Sequence, residues 1–171
     1  TVERVEVLPF HRLGTAKYAS LGIDFPLAGT EPPGAGLLDR AEELFTKLDG
    51  SPFEHASLGF LISIYEQEKD WPKAIAVTRR MEAIAKRPYF KEIAHYHCEL
   101  AQAQLVKSDI AGARANIDLA LAEYKACARA TIIAGDVHAQ KGEHGEAIAA
   151  WQKIETQNPA FLALVADRVA D

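Results

Sequence analysis

Two residue types in this chain have side chains suited to metal binding or nucleophilic attack, namely six histidines and two cysteines. His95 and His97 lie close together, but residues two apart point to different faces of a helix, so we do not expect them to share a metal. Cys98 and Cys127 lie 29 positions apart, and neither belongs to a CxxC pair. We expect both to be small buried side chains in a reducing compartment, rather than halves of a disulfide or metal site.

The usual catalytic patterns are not evident in the sequence. We find no Ser/His/Asp or Cys/His arrangement at helical spacing, no glycine-rich phosphate loop and no paired carboxylates in an identifiable cleft. The acidic pairs at Glu42 and Glu43 and at Glu143 and Glu146 are typical of solvated helix faces. The sequence therefore predicts a protein that is not an enzyme and that has no cofactor and no metal.

Composition indicates an ordinary globular chain with a protein or peptide as its partner. The 171 residues are 49% hydrophobic and carry a net charge of −5, enough apolar material for one domain with a real core. Nucleic acid is not expected as a partner because no basic face is concentrated anywhere. No apolar run has membrane-spanning length and no signal-peptide pattern occurs, so we expect a cytoplasmic chain without membrane insertion.

The elements that must position any functional side chain form a repeat, which is clearest at residues 128–159. Small residues stand at Gly135 and Ala147, large apolar ones at Trp151 and Ile154, and a proline follows at Pro159. The small residues fit where two helices approach most closely, and the large ones fill the gap to the next repeat. This spacing resembles the tetratricopeptide repeat, which consists of two antiparallel helices. The positions 34 residues before Gly135, Ala147 and Trp151 hold Ala101, Ala113 and Ile117.

A further copy lies upstream in a different phase. Ala74 stands 39 residues before Ala113, which places a five-residue insertion at about residues 86–91. The helix before it has an apolar stripe at i, i+3, i+4 and i+7, typical of one buried face. The turn at residues 68–72 aligns with those at 107–110 and 141–144, and Asp70 and Asp109 are placed to cap the helices that follow. The stripe consists of Leu58, Leu61, Ile62 and Tyr65.

The predicted fold is an all-α tetratricopeptide solenoid of helical hairpins with an irregular N-terminal segment. We expect residues 1–34 to be that segment and residues 35–171 to be the repeat domain. Trp71 and Trp151 are predicted to be packing residues, and a last helix carrying Phe161, Leu164, Val165 and Val169 should cover the final pair. Helices are predicted at residues 36–48, 54–68, 72–86, 90–107, 110–125, 128–141, 144–156 and 159–170.

In such an array the first helix of each repeat lines a concave groove. Mixed polar side chains at the groove-facing positions would hold an extended peptide or a partner helix by hydrogen bonds. We regard His95 and Cys98 as the strongest candidates, because a merely solvated helix would carry lysine or glutamate there. The predicted protein-binding residues are Ser63, Glu66, Gln67, His95, Cys98, Gln102, Arg129, Asp136 and Gln140.

Residues 1–33 have a different character from the rest. Val2, Val5 and Val7 precede Leu8 and Pro9, a pattern that predicts a short strand, and a stretch rich in glycine and proline follows. The segment contains a spaced motif that consists of Leu8, Pro9, Phe10, His11, Gly14, Lys17 and Tyr18. In this motif it resembles the C-terminal tail of the pyruvate formate-lyase activating enzymes, although the cysteine motif for their iron–sulfur cluster is absent. We interpret it as a fused foreign piece.

Three segments of residues 35–171 go beyond the general repeat pattern, and the last of them is the most specific: AGLLDRAEELFTKL, WPKAIAVTRRM and KEIAHYHCELAQAQL. Through these segments, residues 35–171 resemble the repeat region of the lipopolysaccharide assembly protein B family of Gram-negative bacteria. The resemblance implies a scaffold at the cytoplasmic face of the inner membrane that regulates lipopolysaccharide biosynthesis. There it would act as an adaptor between a lipid A pathway deacetylase and a membrane protease.

Two alternatives remain open at the level of sequence. The chain could be a fragment of a radical S-adenosylmethionine activating enzyme, which the iron and sulfide content of the purified protein would test. It could also be a self-associating structural protein, because exposed faces of terminal repeats can drive homo-oligomer formation. Mass measured by light scattering at several concentrations would distinguish self-association from a monomeric adaptor.

Overall fold

The structure is a computed structural model that describes residues 35–170, apart from the side chains of residues 35, 37, 38, 167, 169 and 170. The predicted strand and loop-rich segment at residues 1–34 lie outside the described residues. Within the described range all regular secondary structure is helical, as predicted. Among these residues, no helix combines the length and apolar character that a membrane span requires.

The helices agree with the predicted ranges to within two residues, except near the C-terminus. The order is α1 (Ala35–Thr46), α2 (Glu54–Glu68), α3 (Trp71–Ala85), α4 (Phe90–Val106), α5 (Ile110–Glu123), α6 (Ala128–Gln140), α7 (His144–Gln152), α8 (Ile154–Gln157), a 3₁₀ turn (Pro159–Phe161) and α9 (Leu162–Ala170). The helix predicted at 144–156 is interrupted at Lys153, and the one predicted at 159–170 begins with the 3₁₀ turn.

The chain divides into two compact units, residues 1–64 and 65–171. In the first unit, Leu58 and Leu61 on α2 are buried, and the rings of Phe45 and Phe60 stack with centroids 5.5 Å apart. The domain boundary predicted at residues 34 and 35 coincides with the start of the described range and stays a prediction.

The core of the second unit is built largely from small side chains on α4, α5 and α6. Short side chains let helix backbones approach closely, so these helices can interlock without large cavities. Helices α4 and α5 form one hairpin, α6 and α7 form the next, and α6 packs against both α4 and α5. The fully buried members include Ala94, Cys98, Ala101, Ala113, Ala120 and Ala130.

The three turns that the sequence aligns have the same backbone form. Lys69, Ser108 and Gly142 all adopt positive φ, at 57°, 60° and 76°, so each turn has a left-handed residue just after a helix ends. The next residue donates its N–H to a carbonyl five positions earlier in every case, for example Asp109 to Gln104 at 2.9 Å. The three turns aligned in the sequence are therefore one repeated local structure.

The predicted capping by aspartate is confirmed at two of these turns. A carboxylate oxygen of Asp70 accepts from the N–H of Lys73 at 3.2 Å, and one of Asp109 accepts from the N–H of Gly112 at 2.9 Å. Glu143 stands at the same place in the third turn but does not cap α7, and its carboxylate contacts His138 Nδ1 at 2.7 Å instead.

Trp151 makes contacts on two sides. It belongs to a cluster that includes Val165 of the last helix, in agreement with its predicted packing toward the segment that follows the pair. Its indole also lies against Gly135 on the first helix of its own pair. Its Nε1–H donates to the carbonyl of Ile132 at 3.2 Å, and the residue is 5% exposed. Gly135 is small because the Trp151 ring occupies the place where a Cβ would stand.

The last helix covers the final pair only in part. Val165 is buried, and Phe161 packs half-buried against the same cluster as Trp151. Leu164 is 56% exposed, so the prediction that it covers this face is wrong. It lies next to Val165 in the helix and points away from the core. The side chain of Val169 lies outside the described residues.

Candidate functional site

The first helices of successive pairs, α4 and α6, pack directly against each other and present adjacent faces. Residues 34 apart occupy equivalent places, so Arg129 on α6 corresponds to His95 on α4, and Asp136 corresponds to Gln102. All four belong to the predicted groove, and the repeat therefore brings their side chains onto one surface. This surface lies entirely within residues 65–171.

Three residues of α4 hold the guanidinium of Arg129. Arg129 Nη1 lies 2.6 Å from Glu99 Oε1 and 2.9 Å from His95 Nδ1, while Nη2 donates to Gln102 Oε1 at 3.3 Å. We call these four residues the Arg129 cluster. The Arg129 side chain is 33% exposed and that of His95 is 48% exposed. The cluster is therefore fixed in place yet open to a ligand from solvent.

His95 is held in its neutral form in this arrangement. Burial, and next the positive charge of Arg129, lower the pKa of His95 below its ordinary value. The geometry agrees, because Nδ1 must accept from Arg129, and the proton then belongs on Nε2, which faces Glu99 Oε1 at 3.8 Å. Protonation of the ring would place two cations in contact.

Aromatic rings support the α4 side of the surface. The indole of Trp71 stacks on Tyr96 with ring centroids 5.8 Å apart and an interplanar angle of 19°, and it meets His95 edge-on at 6.2 Å. The Tyr96 hydroxyl donates to Glu66 Oε1 at 2.6 Å. Burial, and next this hydrogen bond to Glu66, raise the pKa of Tyr96. Trp71 is thus a packing residue, as predicted, and its indole contacts the edge of the His95 ring.

The remaining predicted residues of this unit occupy different environments. Asp136 accepts from Arg168 on α9, with Oδ1 to Nε at 2.8 Å, so its charge is balanced from the C-terminal side. Gln140 Nε2 lies 3.5 Å from the Oγ of Ser108, which is in the turn between α4 and α5. Gln67 is half-buried near the end of α2.

Two predicted groove residues are not part of this surface. Cys98 is completely buried, so its assignment to the groove lining is wrong: its side chain points into the core between α4, α5 and α6. Ser63 belongs to the first unit, where it is exposed and its hydroxyl donates to the carbonyl of Gly59 at 3.1 Å.

Sequence reasoning missed two charged members of the surface. Glu99 is one helical turn after His95, and this i, i+4 spacing was a usable signal for a shared face. Arg168 could not have been found in the same way, because its contact with Asp136 joins residues 32 positions apart on different helices.

The surface offers several hydrogen-bonding groups. Arg129 and Glu99 neutralise one another, and the amide of Gln102 and the ring of His95 provide further donors and acceptors. Within residues 35–170 no group of three or more histidine, cysteine, aspartate or glutamate side chains is placed to hold a metal ion. This arrangement suits recognition of a polar polypeptide segment.

Comparison with known proteins supports the tetratricopeptide fold and the resemblance to lipopolysaccharide assembly protein B. A family model described as tetratricopeptide repeat matches residues 98–160. The chain is 35% identical to lipopolysaccharide assembly protein B of Escherichia coli K12 over 131 residues, which is 76% of this chain and 34% of that protein. It is 28% identical to the protein of the same name from Haemophilus influenzae over 127 residues, which is 74% of this chain and 32% of that one.

A shorter similarity concerns a different protein. The chain is 42% identical to the pyruvate formate-lyase-activating enzyme of Streptococcus mutans over 43 residues, which is 25% of this chain and 16% of that enzyme. Both resemblances seen in the sequence are thus confirmed as similarities. The chain spans about a third of the length of the lipopolysaccharide assembly proteins that it matches.

Proposed function

Because this chain carries tetratricopeptide repeats, we propose that it is a non-enzymatic scaffold whose α4 and α6 surface binds a segment of a partner protein. The observation that carries the proposal is the Arg129 cluster. Its side chains are held by one another before any ligand arrives, so little side-chain entropy remains to be lost on binding. Their partial exposure leaves hydrogen-bonding capacity for the partner.

The chemistry of the cluster favours a polar, extended segment over an apolar helix. Exposed parts of Arg129, His95 and Gln102 supply donors and acceptors along two neighbouring helices. A peptide crossing these helices could form hydrogen bonds to them through its backbone carbonyl and N–H groups. The ion pair with Glu99 reduces the attraction of Arg129 for simple anions, so the surface selects by hydrogen-bond geometry more than by net charge.

We propose further that the scaffold acts in the regulation of lipopolysaccharide biosynthesis. The similarity to lipopolysaccharide assembly protein B supports this role, and the resemblance implies that the partners are a lipid A pathway deacetylase and a membrane protease. The adaptor would bring the two together at the cytoplasmic face of the inner membrane. The scaffold itself would perform no chemical step.

Binding of the purified chain to the purified deacetylase and protease tests the proposal. The variant Arg129→Ala/Gln102→Ala removes two members of the cluster and leaves the core untouched. We expect it to lose at least about tenfold in affinity, the size of effect typical of central interface residues. Arg114→Ala is the matched control, because Arg114 is an exposed arginine on α5, a second helix. We expect that control to bind like the wild type.

The outcomes separate the two parts of the proposal. Equal affinity of the double variant and the wild type, with both folded by circular dichroism, would show that the cluster is not the binding surface. Failure of the wild-type chain to bind either protein would reject the adaptor role. A loss of affinity for Arg114→Ala as large as that for the double variant would show that the effect is not local to α4 and α6.

A further inference from the structure

Cys98 and Cys127 come together in the core of the second unit. Cys98 lies in the middle of α4, and Cys127 is the residue that precedes α6. Their sulfur atoms are 3.8 Å apart, and both thiols are free. A disulfide needs the two sulfurs at about 2.05 Å, so closure requires a relative movement of about 1.8 Å. The chain contains only these two cysteines, so each has one possible intramolecular partner.

The two thiols differ in their access to solvent. Cys98 has no exposed surface, whereas Cys127 is 8% exposed and lies on the wall of a cleft of about 200 Å³. The cleft is also lined by Lys91, His95 and Arg129, so a small polar molecule entering it meets Cys127 among basic side chains. A reagent from solvent therefore reaches Cys127 before Cys98.

The surroundings also distinguish the two thiols chemically. The hydrogen bond from Cys98 lowers the pKa of Cys127, and the backbone N–H groups of Ala130 and Arg129 and the charge of Arg129 act in the same direction, against its burial. The hydrogen bond with Cys127, together with burial, raises the pKa of Cys98. Because the thiolate is the reactive form, this difference acts in the same direction as the greater exposure of Cys127, and both favour Cys127 as the thiol that reacts first.

We propose that Cys98 and Cys127 form an oxidisable pair, in which Cys127 reacts with a peroxide at the cleft and Cys98 then closes an intramolecular disulfide. In the first step the Cys127 thiolate attacks one oxygen of hydrogen peroxide. The O–O bond breaks, hydroxide leaves and Cys127 becomes a sulfenic acid. In the second step the sulfur of Cys98 attacks that of Cys127, forming the S–S bond and breaking the S–O bond. The proton of the Cys98 thiol and the departing hydroxide leave as water. The hydroxide of the first step takes up the proton that Cys127 lost on forming its thiolate, so two thiols and one peroxide yield one disulfide and two waters.

The disulfide would constrain the two helices, α4 and α6, that carry the Arg129 cluster. Cys98 directly precedes Glu99 on α4, and Cys127 lies two residues before Arg129 on α6. A bond between the two sulfurs fixes the start of α6 to the middle of α4 beside the ion pair. The pair is thus placed to couple oxidation to the relative position of these two helices. This inference rests on the sulfur geometry and does not depend on the identity of a partner.

The experiment treats the reduced 171-residue chain with hydrogen peroxide, blocks remaining thiols under denaturing conditions and maps the peptides by mass spectrometry. We expect the monomer to lose both free thiols and two hydrogens of mass, with one peptide pair cross-linked through Cys98 and Cys127. Dithiothreitol should restore both thiols. Persistence of both thiols, or cross-links only between separate chains, would overturn the proposal.

Two variants assign the order of reaction. In Cys98→Ser, peroxide followed by dimedone should label Cys127 as a trapped sulfenic acid. In Cys127→Ser, Cys98 should stay unlabelled at the same peroxide dose, and labelling there as fast as at Cys127 would contradict the order.

Competitive alkylation of the wild-type chain gives the same information without a variant. Cys127 should react faster than Cys98 in the native protein, and the difference should vanish in urea. A native protein that alkylates Cys98 first would equally refute the order.

Discussion

Replacing Gly135 with alanine tests the packing that defines the α6 and α7 hairpin. A Cβ added at Gly135 would lie 2.1 Å from Nε1 of Trp151 and 2.4 Å from its Cδ1. The indole cannot swing aside freely, because the residue is 5% exposed and its Nε1–H is bonded to the carbonyl of Ile132 at 3.2 Å. The substitution therefore forces either the ring or the helix to move.

The change in the free energy of unfolding has three contributions, of which two are destabilising and one is stabilising. Carbon contacts are favourable at about 3.5 to 4 Å, so the ring must shift by more than about 1 Å, and such overpacking typically costs about 1 to 3 kcal/mol. Loss of the indole hydrogen bond adds about 1 kcal/mol. Alanine is better than glycine inside a helix by about 1 kcal/mol, which offsets part of the cost. We expect Gly135→Ala to lower the free energy of unfolding by about 1 to 3 kcal/mol.

Urea unfolding followed by far-ultraviolet circular dichroism measures this free energy, and a second background makes the result specific. In a Trp151→Leu variant the smaller side chain leaves room for the new methyl group, so Gly135→Ala should become neutral or stabilising there. Gly145→Ala on α7 is the matched control. A Cβ at Gly145 meets nothing within 4 Å, so that variant should be at least as stable as the wild type.

The reasoning would be refuted if Gly135→Ala were as stable as Gly145→Ala, or if it destabilised the chain equally with tryptophan and with leucine at position 151. The first result would mean that the helices separate without cost. The second would mean that the destabilisation arises elsewhere than at the indole.

Three further predictions concern local structure. Asp109→Ala removes the cap of α5 and should lower the free energy of unfolding by about 1 kcal/mol, and an unchanged urea midpoint would contradict this. Gly142→Ala places a Cβ at a φ of 76° and should cost about 1 to 2 kcal/mol, again read from the urea midpoint. Glu82 accepts from the N–H of Tyr89 and, less strongly, from Arg79, and these bonds lower the pKa of Glu82. Their stabilisation should therefore be complete above the ordinary value of 4.5 and be lost as the pH falls through the lower folded pKa. Midpoints measured from pH 7 to 3 should show this loss in the wild type, whereas a Glu82→Gln variant should lack that part of the pH dependence.

The groove residues show how far sequence reasoning reached. The 34-residue repeat placed His95 and Arg129 at equivalent positions and Gln102 on the same predicted groove, and the structure brings all three together. The same rule wrongly included Cys98, because the groove-facing positions were counted along the helix without knowing the direction of the next helix. One face of α4 packs against α5 and another against α6. Cys98 lies on the part of α4 that is buried in the core between these helices.

The sequence alone determined the helical hairpins, their turns and most helix boundaries. These depend on interactions within about five residues, such as the cap of Asp109, and on apolar spacing that repeats with the helix period, so they can be recognised in a string of letters. Only the tertiary structure decided which side chains from different helices meet. The approach of Cys98 to Cys127 and the contact of Arg129 with Glu99 depend on the packing distance and angle of α4 and α6. Those quantities result from many small side chains packed at once, and no single spacing in the sequence encodes them.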